Sequence, residues 1–220
     1  MSSSQKRYLY GRQTSYNFGK ALQFDGVDDY CLTNKTISHT DFTVSLWFNS
    51  IEYGNITLIG STTIRFVKLM SDTLFQIRVS ASSQTFIVPP VSLNQWHHFY
   101  MMRGSDGNVR VFVDGVESST GGINDTSPLD YNVIGGFFIG ANLFQTYKGK
   151  LDDVLITNTA SLTPQTQATA LYNGGLGADP LTVIPTAKQL YRFNGNGNND
   201  GSLGGALTLN NFIADPYVNH

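Results

Sequence analysis

The residues best suited to bond-breaking chemistry in this chain are its carboxylates, and their spacing argues against an enzyme. Hydrolysis of a glycosidic bond needs two carboxyl groups that face the substrate, one as the acid and one as the nucleophile or base. The chain has only two glutamates, Glu52 and Glu117, and they occupy different segments. The adjacent pairs Asp28–Asp29 and Asp152–Asp153 would point to opposite faces if they belonged to strands. We therefore predict that the protein is not an enzyme.

Nucleophilic catalysis has no better support. The sequence contains no Gly-x-Ser-x-Gly turn that would expose a nucleophilic serine. His97 and His98 follow Trp96, and in a strand one imidazole would face inward and the other outward. We interpret them as packed side chains rather than a metal or catalytic pair. The single cysteine, Cys31, lies in an apolar segment and is interpreted as a small buried side chain.

The charge pattern narrows the range of partners. Charged residues make up 14% of the 220 residues, and the formal net charge is −2. The cations are scattered rather than clustered, so we do not expect nucleic acid as a partner. No stretch approaches the roughly 20 apolar residues of a membrane span, and no signal peptide is recognisable at the start. These features predict a virion, cytoplasmic or cell-surface location, the last reached by non-classical export.

Short apolar segments separated by turn residues predict an all-β fold. Phe75, Ile77 and Val79 alternate with polar residues and would share one face of a strand. Asp106–Gly107 predicts a hairpin, and Asp114–Gly115 predicts a second tight turn. A single helix is predicted around residues 161–172, because a proline lies near its start and Asn-Gly-Gly follows it. Two facing antiparallel sheets would bury the apolar faces of the strands.

Four segments resemble a known family in both order and spacing. They are Phe18–Tyr30, Phe42–Phe48, Trp96–Phe99 and Gly149–Ile156. Together they resemble laminin G-like domains of the concanavalin A-like lectin and glucanase superfamily, and the resemblance runs from about residue 18 to residue 173. It implies a two-sheet antiparallel β-sandwich, the concanavalin A-like jelly roll, with one short helix. The Glu-x-Asp-x-x-Glu run of the family's retaining glucanases is absent.

The C-terminal part departs from the order of many relatives. Residues 191–200 resemble a strand that those relatives place before the Phe-Asp-Gly segment. We expect a circular permutation in which residues 187–212 supply a strand pair to a single jelly-roll domain of residues 16–220. The alternative is the stub of a second repeat, which would leave an apolar strand pair without partners. Residues 1–15 would form an N-terminal arm.

The resemblance also implies a possible calcium site. Relatives often hold Ca²⁺ with loop carboxylates, and hard oxygen ligands are what this ion prefers. Asp25, Asp28 and Asp152 match carboxylate positions in the family's recurring segments. The alternative is that Asp25–Gly26 only forms a turn and that Asp152 caps or pairs locally.

Sugar recognition combines aromatic faces with amides and carboxylates, because sugars offer both apolar ring faces and hydroxyl groups. Trp47 and Trp96 lie within strand patterns and are interpreted as core residues. The ligand-binding candidates come from segments that such folds place at one rim, and they are Tyr53, Asn55, Asn142, Phe144, Gln145 and Tyr147.

Two functions from different classes remain open after these steps. The first is a virion surface protein, in capsid decoration or a tail, whose arm docks on neighbouring subunits and which could form a homo-oligomer. The second is a carbohydrate-binding adhesin or lectin that depends on calcium. Both are non-catalytic modules that bind a glycan or a protein surface.

Overall fold

The protein forms a two-sheet antiparallel sandwich, which confirms the predicted fold class. The computed structural model describes residues 16–79, 83–120, 122–212 and 215–220. Sheet A contains, in spatial order, β10 (Val116–Glu117), β9 (Val109–Val113), β8 (His97–Arg103), β3 (Phe42–Ser50), β14 (Lys148–Thr157), β1 (Lys20–Asp25) and β17 (Tyr217–Asn219), with β15 (Gln189–Tyr191) paired to β14. Sheet B contains β16 (Leu207–Asn210), β2 (Tyr30–Thr33), β11 (Val133–Ile134), β4 (Ile56–Gly60), β5 (Phe66–Ser71), β6 (Leu74–Arg78) and β7 (Ser83–Ile87). A separate hairpin consists of β12 (Phe137–Ile139) and β13 (Asn142–Phe144).

The main core lies between the two sheets. Val44, Leu46 and Phe48 alternate along β3 and are fully or almost fully buried, and Phe75 and Ile77 of β6 belong to the same apolar cluster. Burying one such side chain contributes roughly 1.5–3 kcal/mol. The alternating pattern of the sequence therefore predicted correctly which side chains of these strands face the core.

A second apolar layer covers part of the outer face of sheet A. Helix α1 (Pro164–Tyr172) confirms the predicted helix, and the single turn α2 (Pro180–Val183) follows it in the linker. Ala168 and Leu171 of α1 belong to a cluster with Tyr100 and Leu155 of the sheet. This layer explains why all seven residues of β8 are buried instead of alternating. Neither described helix has the length and apolar character to cross a membrane.

The predicted turns form where expected. Asp106 and Gly107 connect β8 to β9, and Gly107 has a φ of +79°, a region that favours glycine. Asp114 and Gly115 connect β9 to β10, and both have positive φ, as a tight two-residue hairpin turn requires.

The C-terminal strands belong to the same sandwich as the rest of the chain. β15 pairs with β14 in sheet A, whereas β16 pairs with β2 in sheet B. The two strands therefore do not form a ladder with each other, although one isolated bridge joins Asn198 to Ala206. Their interpretation as a circular permutation stays a prediction. The proposed arm of residues 1–15 lies outside the described residues.

A β-bulge disturbs β14 between Asp152 and Leu155, and Asp153 there has a φ of +45°. Strand alternation consequently fails for Asp152–Asp153. Both carboxylates face the terminal segments that cover sheet A, Asp152 contacting His220 and Asp153 contacting Tyr16. The expectation of opposite faces was wrong here, because a bulge inserts an extra residue and re-aims the side chains.

Candidate functional site

Three loops meet at one end of the sandwich and form what we call the rim. They are the β1–β2 loop, the β3–β4 loop and the segment from β13 into β14. Thr146 Oγ1 donates to Gly26 O at 2.7 Å, the Ile51 N–H donates to Lys148 O at 3.3 Å, and the Thr57 N–H donates to Gln145 O at 2.9 Å. These bonds fix the three loops relative to one another.

The β1–β2 loop gathers three carboxylates. Asp25 Oδ1 accepts from the Val27 N–H at 2.7 Å, and Asp29 Oδ2 accepts from the Asp25 N–H at 2.8 Å, so that the loop curls on itself. Gly26 permits the turn with a φ of +83°. One carboxylate oxygen from each of Asp25, Asp28 and Asp29 lies within 4.8 Å of the others.

The donor set of this loop fits a hard divalent cation. Asp29 is 4% exposed, and its Oδ1 atom is enclosed without a hydrogen-bond partner among the described residues. Burial raises the pKa of Asp29, the Asp25 N–H opposes that rise, and the charges of Asp25 and Asp28 add to it. A Ca²⁺ ion takes six to eight oxygen ligands, so it would use the unpaired oxygen and offset two of the three negative charges.

The metal residues inferred from the sequence are only partly brought together. Asp25 and Asp28 meet as expected, but the third carboxylate is Asp29, while Asp152 lies further along β14 and is fully buried against His220. Asp29 was not predicted as a ligand because Asp28–Asp29 was interpreted as part of a strand. The strand β2 begins only at Tyr30, so strand alternation does not apply to the loop before it.

The predicted sugar-contact residues divide into exposed and enclosed groups. Asn55, Asn142, Phe144 and Gln145 are exposed at or beside the rim, as expected. Tyr147 is fully buried, and its hydroxyl donates to Lys150 O at 3.2 Å and accepts from Ser50 Oγ at 3.1 Å, so it contacts no ligand. It was wrongly predicted as a rim residue because a tyrosine that follows a polar loop has the same local pattern whether it points in or out.

Tyr53 is half-buried, and its hydroxyl donates to Val91 O at 2.5 Å. It therefore anchors the β3–β4 loop rather than offering a free hydroxyl. The apolar part of the rim comes instead from Val27, Ile51 and Phe144, which are 74%, 45% and 39% exposed.

A shallow groove crosses sheet A beside the rim. Two depressions of about 260 Å³ and 200 Å³ share Gln23 on the outward face of β1. Asp25 and Asp29 line the first, and polar side chains line the second, namely Gln23, Asn49, Asn94 and Lys150. Gln23 is paired in register with Lys150, and Lys150 with Asn49. No role was predicted for these residues from the sequence, and the strand order β3-β14-β1 places Asn49, Lys150 and Gln23 side by side.

The other residues considered for catalysis, two histidines and a cysteine, are hydrogen-bonded within the fold or buried in its core. Nδ1 of His97 lies 2.7 Å from Asp114 Oδ2, and Nε2 of His98 lies 2.8 Å from Ser45 Oγ. Burial lowers the pKa of His98 to about 3. Cys31 is fully buried, as predicted, and burial raises its pKa.

The two glutamates do not share a cleft. Glu52 lies 3.7 Å from Lys148 Nζ at the rim, whereas Glu117 accepts two hydrogen bonds from Arg110 on the edge strands of sheet A. Each glutamate therefore pairs with a different cation at a different place on the sheet.

The jelly-roll sandwich with an acidic loop at one rim defines a class of lectin-like β-sandwich. The sequence profile of the concanavalin A-like lectin/glucanases superfamily, in its laminin G-like form, matches residues 24–166. The chain belongs to that superfamily. No curated protein matches the sequence.

Solved structures show the same fold at low sequence identity. A heptameric SAP-like pentraxin from Limulus polyphemus has a TM-score of 0.58 and 18% identity over 72% of this chain and 84% of the other. A putative carbohydrate binding protein from Bacteroides ovatus has a TM-score of 0.64 and 14% identity over 90% of this chain, which spans 61% of that protein. Domain 4 of the arabinanase AbnA from Geobacillus stearothermophilus, in complex with arabinotriose, has a TM-score of 0.54 and 18% identity. The match covers 75% of this chain and 80% of the other.

Calcium should raise the melting temperature of the protein. A ligand that binds only the native state at 100 times its Kd stabilises by about 2.7 kcal/mol, which for a chain of this size is a rise of roughly 5–10 °C. Thermal unfolding with calcium and with EGTA measures the difference. Asp29→Asn should abolish the rise, and in EGTA it should melt no lower than the wild type, because it removes a buried charge beside two others. An unchanged melting temperature in millimolar calcium would exclude the site.

Proposed function

We propose that this chain is a non-catalytic carbohydrate-binding module whose ligand lies in the groove beside the rim, next to a calcium ion held by Asp25, Asp28 and Asp29. The observation that carries the proposal is the combination, at one edge of sheet A, of an acidic loop with an unpaired buried oxygen, a row of amides and exposed apolar side chains. Amides and carboxylates bind sugar hydroxyls, and apolar side chains cover the ring faces.

Two of the structural neighbours support this reading. One is described as a putative carbohydrate binding protein, and another was solved in complex with arabinotriose. At such low sequence identity the match supports a shared fold but does not indicate a shared ligand, so the sugar is not specified. Arabinotriose is a reasonable first probe.

A glycan array read in calcium and again in EGTA, followed by calorimetric titration of each hit, tests the proposal. We expect binding that weakens at least tenfold in EGTA, a loss of about 1.4 kcal/mol. Asn49→Ala, which removes an amide from the groove, should weaken binding about tenfold. Asn17→Ala removes an exposed amide elsewhere and should have no effect. Equal affinities of the two variants, or no binding to any glycan, would refute the proposed function.

A virion surface role remains a second proposal. Its support is the sequence composition, which has few charges and an N-terminal segment, residues 1–15, with four serines. The same proposal includes docking of residues 1–15 on neighbouring subunits, homo-oligomer formation and a virion location.

A further inference from the structure

A row of polar side chains crosses the outer face of sheet B. Thr57, Lys68, Gln76 and Thr85 are paired in direct register across β4, β5, β6 and β7. Their neighbours along the strands, such as Val67, point into the core, so the row faces away from it. With strands about 4.8 Å apart, the row is about 14 Å long.

Lys68 in this row is a buried cation that pairs with no carboxylate of the described residues. The residue is 5% exposed, and its Nζ atom lies 3.5 Å from the ring centroid of Phe66 and 4.8 Å from that of Phe137. Within the described parts of the chain, no carboxylate pairs with it and no acceptor receives a hydrogen bond from it. Arg78, which is paired in register with Phe66, adds a second positive charge nearby.

This environment disfavours the charged amine. Burial, together with the positive charge of Arg78, lowers the pKa of Lys68 to about 8. The π electrons of the two aromatic rings stabilise the charged amine and so offset part of this effect. An anion beside Nζ would stabilise the charged amine more strongly than the rings do, because charge pairing is strong where water is excluded.

Next to Lys68 the sheet also has an unsatisfied hydroxyl. Thr57 is fully buried, and its Oγ1 atom has no hydrogen-bond partner among the described residues. A buried hydroxyl left in this state destabilises the folded protein. The pair therefore lacks an acceptor, which is what an oxyanion supplies.

The hairpin of β12 and β13 forms an aromatic wall beside the row. Phe137 contacts Phe66 at a centroid distance of 5.2 Å and Phe144 at 6.0 Å, and Phe144 is 39% exposed. The wall offers a face to an apolar ring surface, while Gln76 and Thr85 offer an amide and a hydroxyl. Such a combination suits a sugar ring better than an extended peptide.

We propose that the outer face of sheet B binds the anionic group of an acidic saccharide, a carboxylate or a sulfate, with Lys68 as the cation that pairs with it. The saccharide part of the proposal rests on the proposed function, whereas the anion part does not. The site adjoins the rim through Phe144, but Lys68 gives it the opposite charge to the loop of Asp25, Asp28 and Asp29.

A titration of protein labelled with ¹³C at lysine Cε tests the proposal directly. The probes are a galacturonic acid trimer, a sulfated disaccharide and neutral arabinotriose. We expect an acidic probe to shift the Lys68 signal and to raise the pKa of its amine by about one unit. Response to the trimer or to the sulfated sugar distinguishes carboxylate from sulfate. Lys68→Gln should weaken binding of that probe about tenfold, while Lys20→Gln, which removes an exposed cation on sheet A, should leave it unchanged.

The wild-type signal keeps the test decisive if Lys68→Gln fails to fold. An unchanged Lys68 signal at saturating concentrations of both acidic probes would overturn the proposal, and so would acidic binding that survives in Lys68→Gln. Neutral arabinotriose carries no anionic group, so its binding does not depend on pairing with Lys68. Its binding without any response of Lys68 to acidic probes would therefore support the proposed function while refuting the anionic site.

Discussion

Replacing Arg103 with methionine should lower the free energy of unfolding by about 4 kcal/mol. The side chain is fully buried, and its guanidinium donates to Thr40 O at 2.8 Å, to Asp125 O at 2.7 Å and to Ser127 O at 2.6 Å. Methionine fills similar space but leaves these carbonyls without a donor. Each of these hydrogen bonds from a charged donor contributes roughly 1.5–3 kcal/mol, and the change also removes a cation 5.2 Å from the Phe42 ring.

Urea denaturation of matched variants distinguishes the stability that the Arg103 hydrogen bonds contribute from the effect of removing any positive charge. Arg103→Lys keeps the charge but not the planar fork of donors. We therefore expect its loss of stability to exceed half of the loss in Arg103→Met. Arg110→Met removes a partly exposed cation paired with Glu117, and its cost should stay within about 1 kcal/mol. If Arg103→Met and Arg110→Met were equally destabilising, the hydrogen bonds of Arg103 to Thr40, Asp125 and Ser127 would contribute no more than an exposed ion pair.

Replacing Asp152 with asparagine should stabilise the protein at alkaline pH by about 3 kcal/mol and leave it unchanged near pH 4. Asp152 is fully buried, and its Oδ2 atom lies 2.8 Å from His220 Nδ1. Burial raises the pKa of Asp152, and the charge of Asp153 raises it further. Burial also lowers the pKa of His220 to about 4. The pair is therefore neutral, and the protonated carboxyl donates to the imidazole.

The direction of the pH dependence follows from these shifts. In the unfolded chain Asp152 ionises above about pH 4, whereas the native protein keeps the proton. Unfolding then releases a proton, so the contribution of Asp152 to the free energy of unfolding is greatest below pH 4 and falls as the pH rises toward the native pKa. Asparagine has the shape and the donor of the protonated acid but does not titrate. The charged and titratable groups around the pair are Tyr16, Lys150, Asp153, Asp179, Arg192 and Asp200.

Denaturation curves from pH 4 to pH 9 measure this effect. Asp72→Asn, a change at an exposed position, should give a curve parallel to the wild type. Destabilisation by Asp152→Asn at pH 8 would instead mean that Asp152 and His220 form a charged pair. The stack of His220 between Phe18 and Trp96, at centroid distances of 3.9 Å and 3.7 Å, should persist in the variant, because the asparagine amide still donates to Nδ1.

The candidate site was predictable only where its residues are close in the sequence. Asp25 and Asp28 lie in one short loop, so the sequence could place them together, and the same locality should have revealed Asp29. Asp152 could not be placed, because its partner is His220, from the far end of the chain. Trp96 was interpreted as core but is half-exposed and covers that histidine, a contact that no local pattern contains.

The sequence alone determined the architecture. Period-2 alternation, paired turn residues and a proline-capped helix are local properties, because side-chain direction in a strand and positive φ in a turn depend on neighbouring residues. Tertiary structure decided which polar residues meet. Gln23, Lys150 and Asn49 become a groove, and Thr57, Lys68 and Gln76 a row, only through strand order and register. Order and register depend on burial across the whole sandwich, and so no single segment encodes them.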